Sequence, residues 1–179
     1  MNRSKTHLIV AALIRSEDKI LLVRQKGPND PISAWALPGG VVEPNELLNE
    51  ALIREVREET GLTVHELGKL IYVTQFDNRA PEQLHTGLGS GNGYESIAFV
   101  FEIAKWKGEL KILDPDGYVQ EVAFFTLEEA IAQLEKQPFR VMREPLLAYL
   151  KKITHAGTIW LYRSHSPNQV ELIAQLKNE

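Results

Sequence analysis

No cysteine occurs among the 179 residues. That absence excludes disulfides, thiolate metal sites and cysteine nucleophiles, and it fits a reducing, cytoplasmic setting. No stretch approaches the ~20 consecutive apolar residues that span a bilayer, so no membrane association is expected. The nearest imitation of a targeting signal is N-terminal, where Arg3 and Lys5 precede the apolar run Leu8 to Ile14. Arg15, Glu17, Asp18 and Lys19 follow at once, without a small-residue cleavage site, which makes the run a β-strand. Long basic runs are missing too. With a net charge of −4, neither nucleic-acid nor anionic-membrane binding is indicated. Internal repeats and low-complexity segments are also lacking. What remains is an ordinary globular composition, 44% hydrophobic and 25% charged, long enough for one domain with a sizeable core and a short appendage.

The distinctive stretch is acidic. Residues 39–62 read GGVVEPNELLNEALIREVREETGL, and from Glu43 to Glu59 six acids stand against two bases. The paired glycines suit a tight turn, Pro44 and Asn45 a helix entrance, and Gly61 the left-handed residue just past the helix end. At ~100° per residue, Glu55, Glu58 and Glu59 share one helix face within about a turn. Leu48 and Ala51 continue that side, with Leu52 and Val56 beside it, so the face borders buried surface. Anions crowded there repel one another and lose hydration, which raises their pKa values unless a cation neutralises them. A hard divalent ion such as Mg²⁺ is the natural partner. The plainer reading is a solvated helix with Glu50–Arg54 and Arg54–Glu58 pairs at i,i+4.

Taken in order, His7 to Ile14 and Ile20 to Arg24 read as two strands of a hairpin. Residues 27–31 form a loop, and Trp35-Ala36-Leu37 leads into Pro38-Gly39-Gly40. After the acidic helix, Gly68 to Phe76 reads as a strand. Residues 77–94, with glycines at 87, 89, 91 and 93, read as a long loop, either mobile or a specificity lid. Ser96 to Ile103, Glu109 to Leu113 and Val119 to Phe125 read as strands. Asp114-Pro115-Asp116-Gly117 is a turn that fails the EF-hand spacing. Thr126-Leu127-Glu128-Glu129 is a capping box opening a helix to about Gln137, and Val141 to Lys152 is another. The tail holds a strand at Thr158 to Tyr162 and a helix begun by Ser166 and Pro167. This order predicts an α/β fold in which helices sandwich a mixed sheet, with a domain over 1–152 and a strand-plus-helix extension over 153–179 packed on it.

One register overrides the plainer reading of the acidic helix. Gly40, Glu46, Arg54-Glu55-Val56, Glu58-Glu59 and Gly61-Leu62 fall at spacings that resemble the signature of the Nudix (MutT-like) hydrolase family at all nine of its specified positions. From average residue frequencies, the chance of such a match is on the order of 10⁻⁷. The resemblance covers roughly residues 6–150, and its specific part is 39–62. It implies the α/β/α sandwich with a loop–helix–loop catalytic motif, and a Mg²⁺-dependent pyrophosphohydrolase, with Mn²⁺ as a substitute. The substrate it implies is a nucleoside diphosphate linked to another moiety, X. The alternative from another class is a non-catalytic nucleotide-sensing module.

Carried over by position, Glu55, Glu58 and Glu59 resemble the family's metal ligands, one of them also a candidate general base. Gly39 matches a position whose backbone carbonyl joins the metal shell. Arg54 resembles the arginine that orients the glutamates, Glu46 supports the loop or an outer metal shell, and Gly40 and Gly61 are structural. A further acidic residue beyond the helix is common in the family. Glu121 is the first candidate, with Glu95 and Glu102 as competitors. Arg24 and Lys26 are candidates for phosphate contact, and Trp35, Phe76 and Tyr94 for stacking on a base, against the plainer readings of strand-end charges and core aromatics. His85 lies in the glycine-rich loop. The identity of X and the oligomeric state stay open, with a homodimer among the states the resemblance allows.

Overall fold

β1 (Thr6–Leu13) divides the core in two. Strand side chains alternate, so Val10 and Ala12, with Ile14 just beyond, pack with Ala51, Leu52 and Val56 of α1 (Leu48–Thr60). Leu13 and partly buried Ala11 face the other way. They meet a cluster holding Ala130 and Leu134 of α2 (Leu127–Leu134) and Leu146, Ala148 and Leu150 of α3 (Arg140–Leu150). Helices thus cover both faces, as expected. The computed structural model describes residues 6–27, 30, 32–79, 94–166 and 169–177.

Six strands form a mixed sheet in the order β10 (Gln169–Leu176), β9 (Thr158–Ser166), β6 (Thr63–Asn78), β7 (Tyr94–Lys107), β1 and β5 (Gly39–Val41). The β1–β7 and β6–β9 pairs are parallel and the others antiparallel. A smaller antiparallel sheet joins β2 (Arg15–Ser16), β3 (Lys19–Gln25) and β4 (Ala34–Ala36), with β8 (Val119–Thr126) also pairing with β3.

Several expectations change. The N-terminal hairpin shrinks to Arg15–Ser16 against Lys19–Ile20, because β1 is taken by β7 and β5 in the large sheet while β3 belongs to the small one. Residues 109–113 are not a strand. They run along the end of α1, where Lys111 N–H donates to Thr60 O at 2.9 Å and Leu113 N–H to Glu58 O at 2.8 Å. The tail helix is instead β10, paired antiparallel with β9 from Gln169↔Ser166 to Leu176↔Ile159. Sheet pairing overrides the Ser-Pro start signal there. β6 begins at Thr63, five residues before the expected Gly68, and register shifts between Val64 and Tyr72 hide its period. Asp77, Asn78 and Tyr94 are strand residues. Arg79 follows β6, and residues 80–93 of the expected loop, His85 included, lie outside the described residues, as do Pro28, Asn29, Pro31 and Pro167.

Candidate active site

α1 forms without interruption because residues 48–60 hold no Gly or Pro. It starts at Leu48, later than the expected entrance, since Asn45 takes a left-handed φ of 68° in the preceding turn. Glu50 turns back to accept the Leu47 N–H at 2.8 Å rather than pairing with Arg54. Gly61 ends the helix at φ 78°, donating to Arg57 O. A Cβ there would sit 2.7 Å from Lys111 O, so the residue serves both the left-handed turn and the docking of residues 109–113.

The carboxylates of α1 meet the glycine turn directly. Glu59 is 7% exposed and accepts the Gly39 N–H at 2.8 Å. Burial pushes its pKa up to about 8, with Glu55, Asp114 and Glu58 adding to the rise and the Gly39 bond opposing it. Burial also raises Glu55, although Arg54 pulls the other way. Gly40 passes so close beneath Glu55 that a Cβ would lie 2.5 Å from Oε1.

Arg54 ties the group together. Its Nε and Nη2 donate to both oxygens of Glu46 at 2.8 and 2.9 Å, and Nη2 also donates to Val41 O at 3.1 Å. Its Nη1 donates to Glu55 at 2.7 Å and, more weakly, to Glu58 at 3.4 Å. This fork holds Glu46 below the usual carboxylate range and Arg54 above its own. Among the described residues, no three Asp, Glu or His side chains converge as a finished ion shell. The donor set still fits a hard divalent cation: the oxygens are carboxylate oxygens, Arg54 is shared among Glu46, Glu55 and Glu58, and burial disfavours Glu55 and Glu59 as bare anions, which a cation would offset.

On the other side of β5 lies an apolar pocket of about 210 Å³. Its walls come from β1, β4, β5, the inward faces of β6 and β7, the end of α2, the α2–α3 turn and α3. Trp35, Phe76 and Tyr94 line it, and Phe76 and Tyr94 meet edge to face at 5.9 Å. Gly40 and Val41 line it as well, so β5 separates pocket from carboxylates by a single strand. Arg24 sits 6.0 Å over the Trp35 ring and pairs with Glu121 at 2.9 Å.

Glu121 therefore stands with Arg24. Its strand neighbours Val122 and Phe124 are the ones that pack toward the α1 cluster. Glu95 accepts from Thr6 and Gln75, and Glu102 pairs with Arg15 and Lys69. Lys26 is exposed, with its backbone N–H on Tyr118 O. Most of the pocket lining escaped the sequence reading, including the polar residues Thr74, Ser96 and Gln137. Thr74 and Ser96 carried a faint signal, polar positions inside apolar strands. Gln137 looked like a helix end.

Comparison with known proteins decides the family, for a NUDIX domain model matches residues 5–145. The chain belongs to the Nudix family. It is 35% identical over 119 residues to an ADP-ribose pyrophosphatase of Methanocaldococcus jannaschii, covering 66% of this chain and 60% of that one. It is 44% identical over 54 residues to a CTP pyrophosphohydrolase of Escherichia coli, covering 30% of this chain and 40% of that one. Each match thus spans less than two thirds of the relative's length. In fold, this Nudix chain resembles a MutT protein of Bacillus halodurans, with TM-score 0.62 and 20% identity over 95% of this chain and 96% of that one. It also resembles the Escherichia coli ORF135 protein, with TM-score 0.60 and 25% identity over 86% and 94%. Among the described residues of the Nudix chain, no helix is long and apolar enough to cross a membrane.

Proposed function

We propose that this Nudix chain is a divalent-metal-dependent pyrophosphohydrolase that cleaves the diphosphate of a nucleoside diphosphate linked to X. The observation that carries the reading is Gly40, which lines the apolar pocket and also touches the Glu55 carboxylate. A nucleoside in the pocket would place its diphosphate at β5, facing the glutamates.

Glu55, Glu58, Glu59 and the Gly39 carbonyl would hold Mg²⁺, or Mn²⁺ in its place. Such an ion neutralises a diphosphate that the glutamates alone would repel, and it acidifies bound water. Arg54 fixes Glu46 and Glu55 by its forked bonds, and the Gly39 N–H fixes Glu59. Glu58, tied to Arg54 only at 3.4 Å and with its side chain 31% exposed, is freest to take a proton from attacking water. Glu121 holds Arg24 over Trp35 at the rim, where the guanidinium can meet a phosphate. The 153–179 segment is taken as an extension of the same domain, the setting as cytoplasmic, and the assembly as a monomer or homodimer.

The test is Mg²⁺-dependent phosphate or nucleotide release across ADP-ribose, dinucleoside polyphosphates, nucleotide sugars and oxidised nucleoside triphosphates. The M. jannaschii relative supports placing ADP-ribose first. Turnover of one class, falling at least about a hundredfold in Glu58→Gln, is the expected result. Tight nucleotide binding with no turnover across the panel would favour the sensing module instead.

A further inference from the structure

Gln137 follows α2 and is 3% exposed, yet it lines the pocket. Its Nε2 donates to Trp35 O at 3.2 Å, across 102 residues of sequence, and its Oε1 accepts the Phe139 N–H at 3.3 Å. Its own backbone carbonyl accepts from Arg143 at 2.8 Å, which ties the turn to α3. Trp35 and Phe139 both line the pocket. One side chain therefore joins β4 to the α2–α3 turn where the two meet at the pocket.

A glutamine amide offers two hydrogens and two lone pairs. One of each is spent on Trp35 and Phe139, which leaves one hydrogen and one lone pair. No charged side chain lines the pocket among the described residues. Its other polar groups are the hydroxyls of Thr74, Ser96, Tyr72 and Tyr94, which rotate to donate or accept and so discriminate weakly, and the Trp35 indole N–H, which only donates. Among the lining side chains, Gln137 is the one that carries both a donor and an acceptor locked in orientation. In an otherwise apolar pocket, a base edge that fails to match them leaves polar groups unpaired, and such a mismatch selects strongly.

We propose that Gln137 is the specificity-determining residue of the pocket, half of its amide locking the walls together and the other half pairing with the edge of the nucleobase. This rests on the pocket being the nucleoside end of the site, as proposed above. The test compares wild type with Gln137→Met, similar in length but without hydrogen bonds. Both are assayed for kcat and KM on the accepted substrate class carrying adenine, guanine, cytosine and uracil. The expected result is a drop of about tenfold or more in the kcat/KM ratio between best and worst base, driven by KM. An unchanged ratio in an active variant overturns the proposal, even if every KM rises, because wall spacing alone would weaken all bases together. If Gln137→Met does not fold, Gln137→Glu decides: it keeps the acceptor for Phe139 but loses the donor, so the order of bases should change, and an unchanged order overturns the proposal. A wild type that hydrolyses none of these nucleotides refutes the functional reading itself and takes this inference with it.

Discussion

At the residue scale, two adjacent glycines do different work. A Cβ on Gly39 would run into Val10 O and lie 2.6 Å from the Ala11 Cα, both backbone atoms of a buried strand. A Cβ on Gly40 would meet only the carboxylate end of Glu55, a flexible side chain. Gly39→Ala is therefore expected to lower Tm by several degrees or to prevent folding. Gly40→Ala should melt close to wild type yet lose at least about tenfold in kcat/KM by displacing Glu55. Thermal melts and steady-state kinetics of the two variants check this contrast. Glu59 adds a pH signature. Its folded pKa, about 8, lies above the ordinary 4.5, so the folded state binds this proton more tightly than the unfolded chain. Its contribution to stability is fully present below about pH 4.5 and is lost as pH rises towards 8. In EDTA, Glu59→Gln should melt above wild type at pH 8, with the gap closing towards pH 5. A gap that widens on acidification would contradict the assignment.

At the scale of elements, α1 was the most legible part of the chain. Its carboxylate face, apolar side and glycine stop follow from a 3.6-residue period, and the structure places Glu55, Glu58 and Glu59 as that period requires. Its anchorage was not legible. Residues 109–113 have a strand-like composition, but their N–H groups meet the end of α1, a pairing set by tertiary position. Gly61→Ala should expose this dependence, because it strains a φ of 78° and pushes on the Lys111 backbone at once. The expected cost is about 1–3 kcal/mol in chemical denaturation. The tail misled for a related reason. Gln169–Leu176 suits either period, and only β9, found through long-range pairing, selects the strand.

At the scale of the whole molecule, the C-terminal hairpin braces the pocket. Tyr162 of β9 donates to Glu144 of α3 at 3.0 Å, and Arg140 joins Glu144 to the Val170 carbonyl of β10. α3 in turn supplies Val141, Met142 and Leu146 to the pocket wall. Tyr162→Phe leaves the ring packed and removes one hydrogen bond, for an expected loss of about 1 kcal/mol, or roughly 2–4 °C in Tm. The sequence disclosed the glutamates because they fall in one short register. Of the pocket, the sequence marked only the aromatic candidates Trp35, Phe76 and Tyr94, because its walls come from β1, β4 to β7, the α2–α3 turn and α3, distant in sequence and joined only by the fold. The central claim is that this pocket and the α1 carboxylates act on one diphosphate. Phosphorus NMR of whichever nucleotide derivative of the panel is turned over, with wild type, Glu58→Gln and EDTA-treated protein in parallel, tests it most directly. The account predicts cleavage of the diphosphate by wild type in Mg²⁺, at least about a hundredfold slower in Glu58→Gln and absent in EDTA. Conversion that persists undiminished in Glu58→Gln or in EDTA would contradict it.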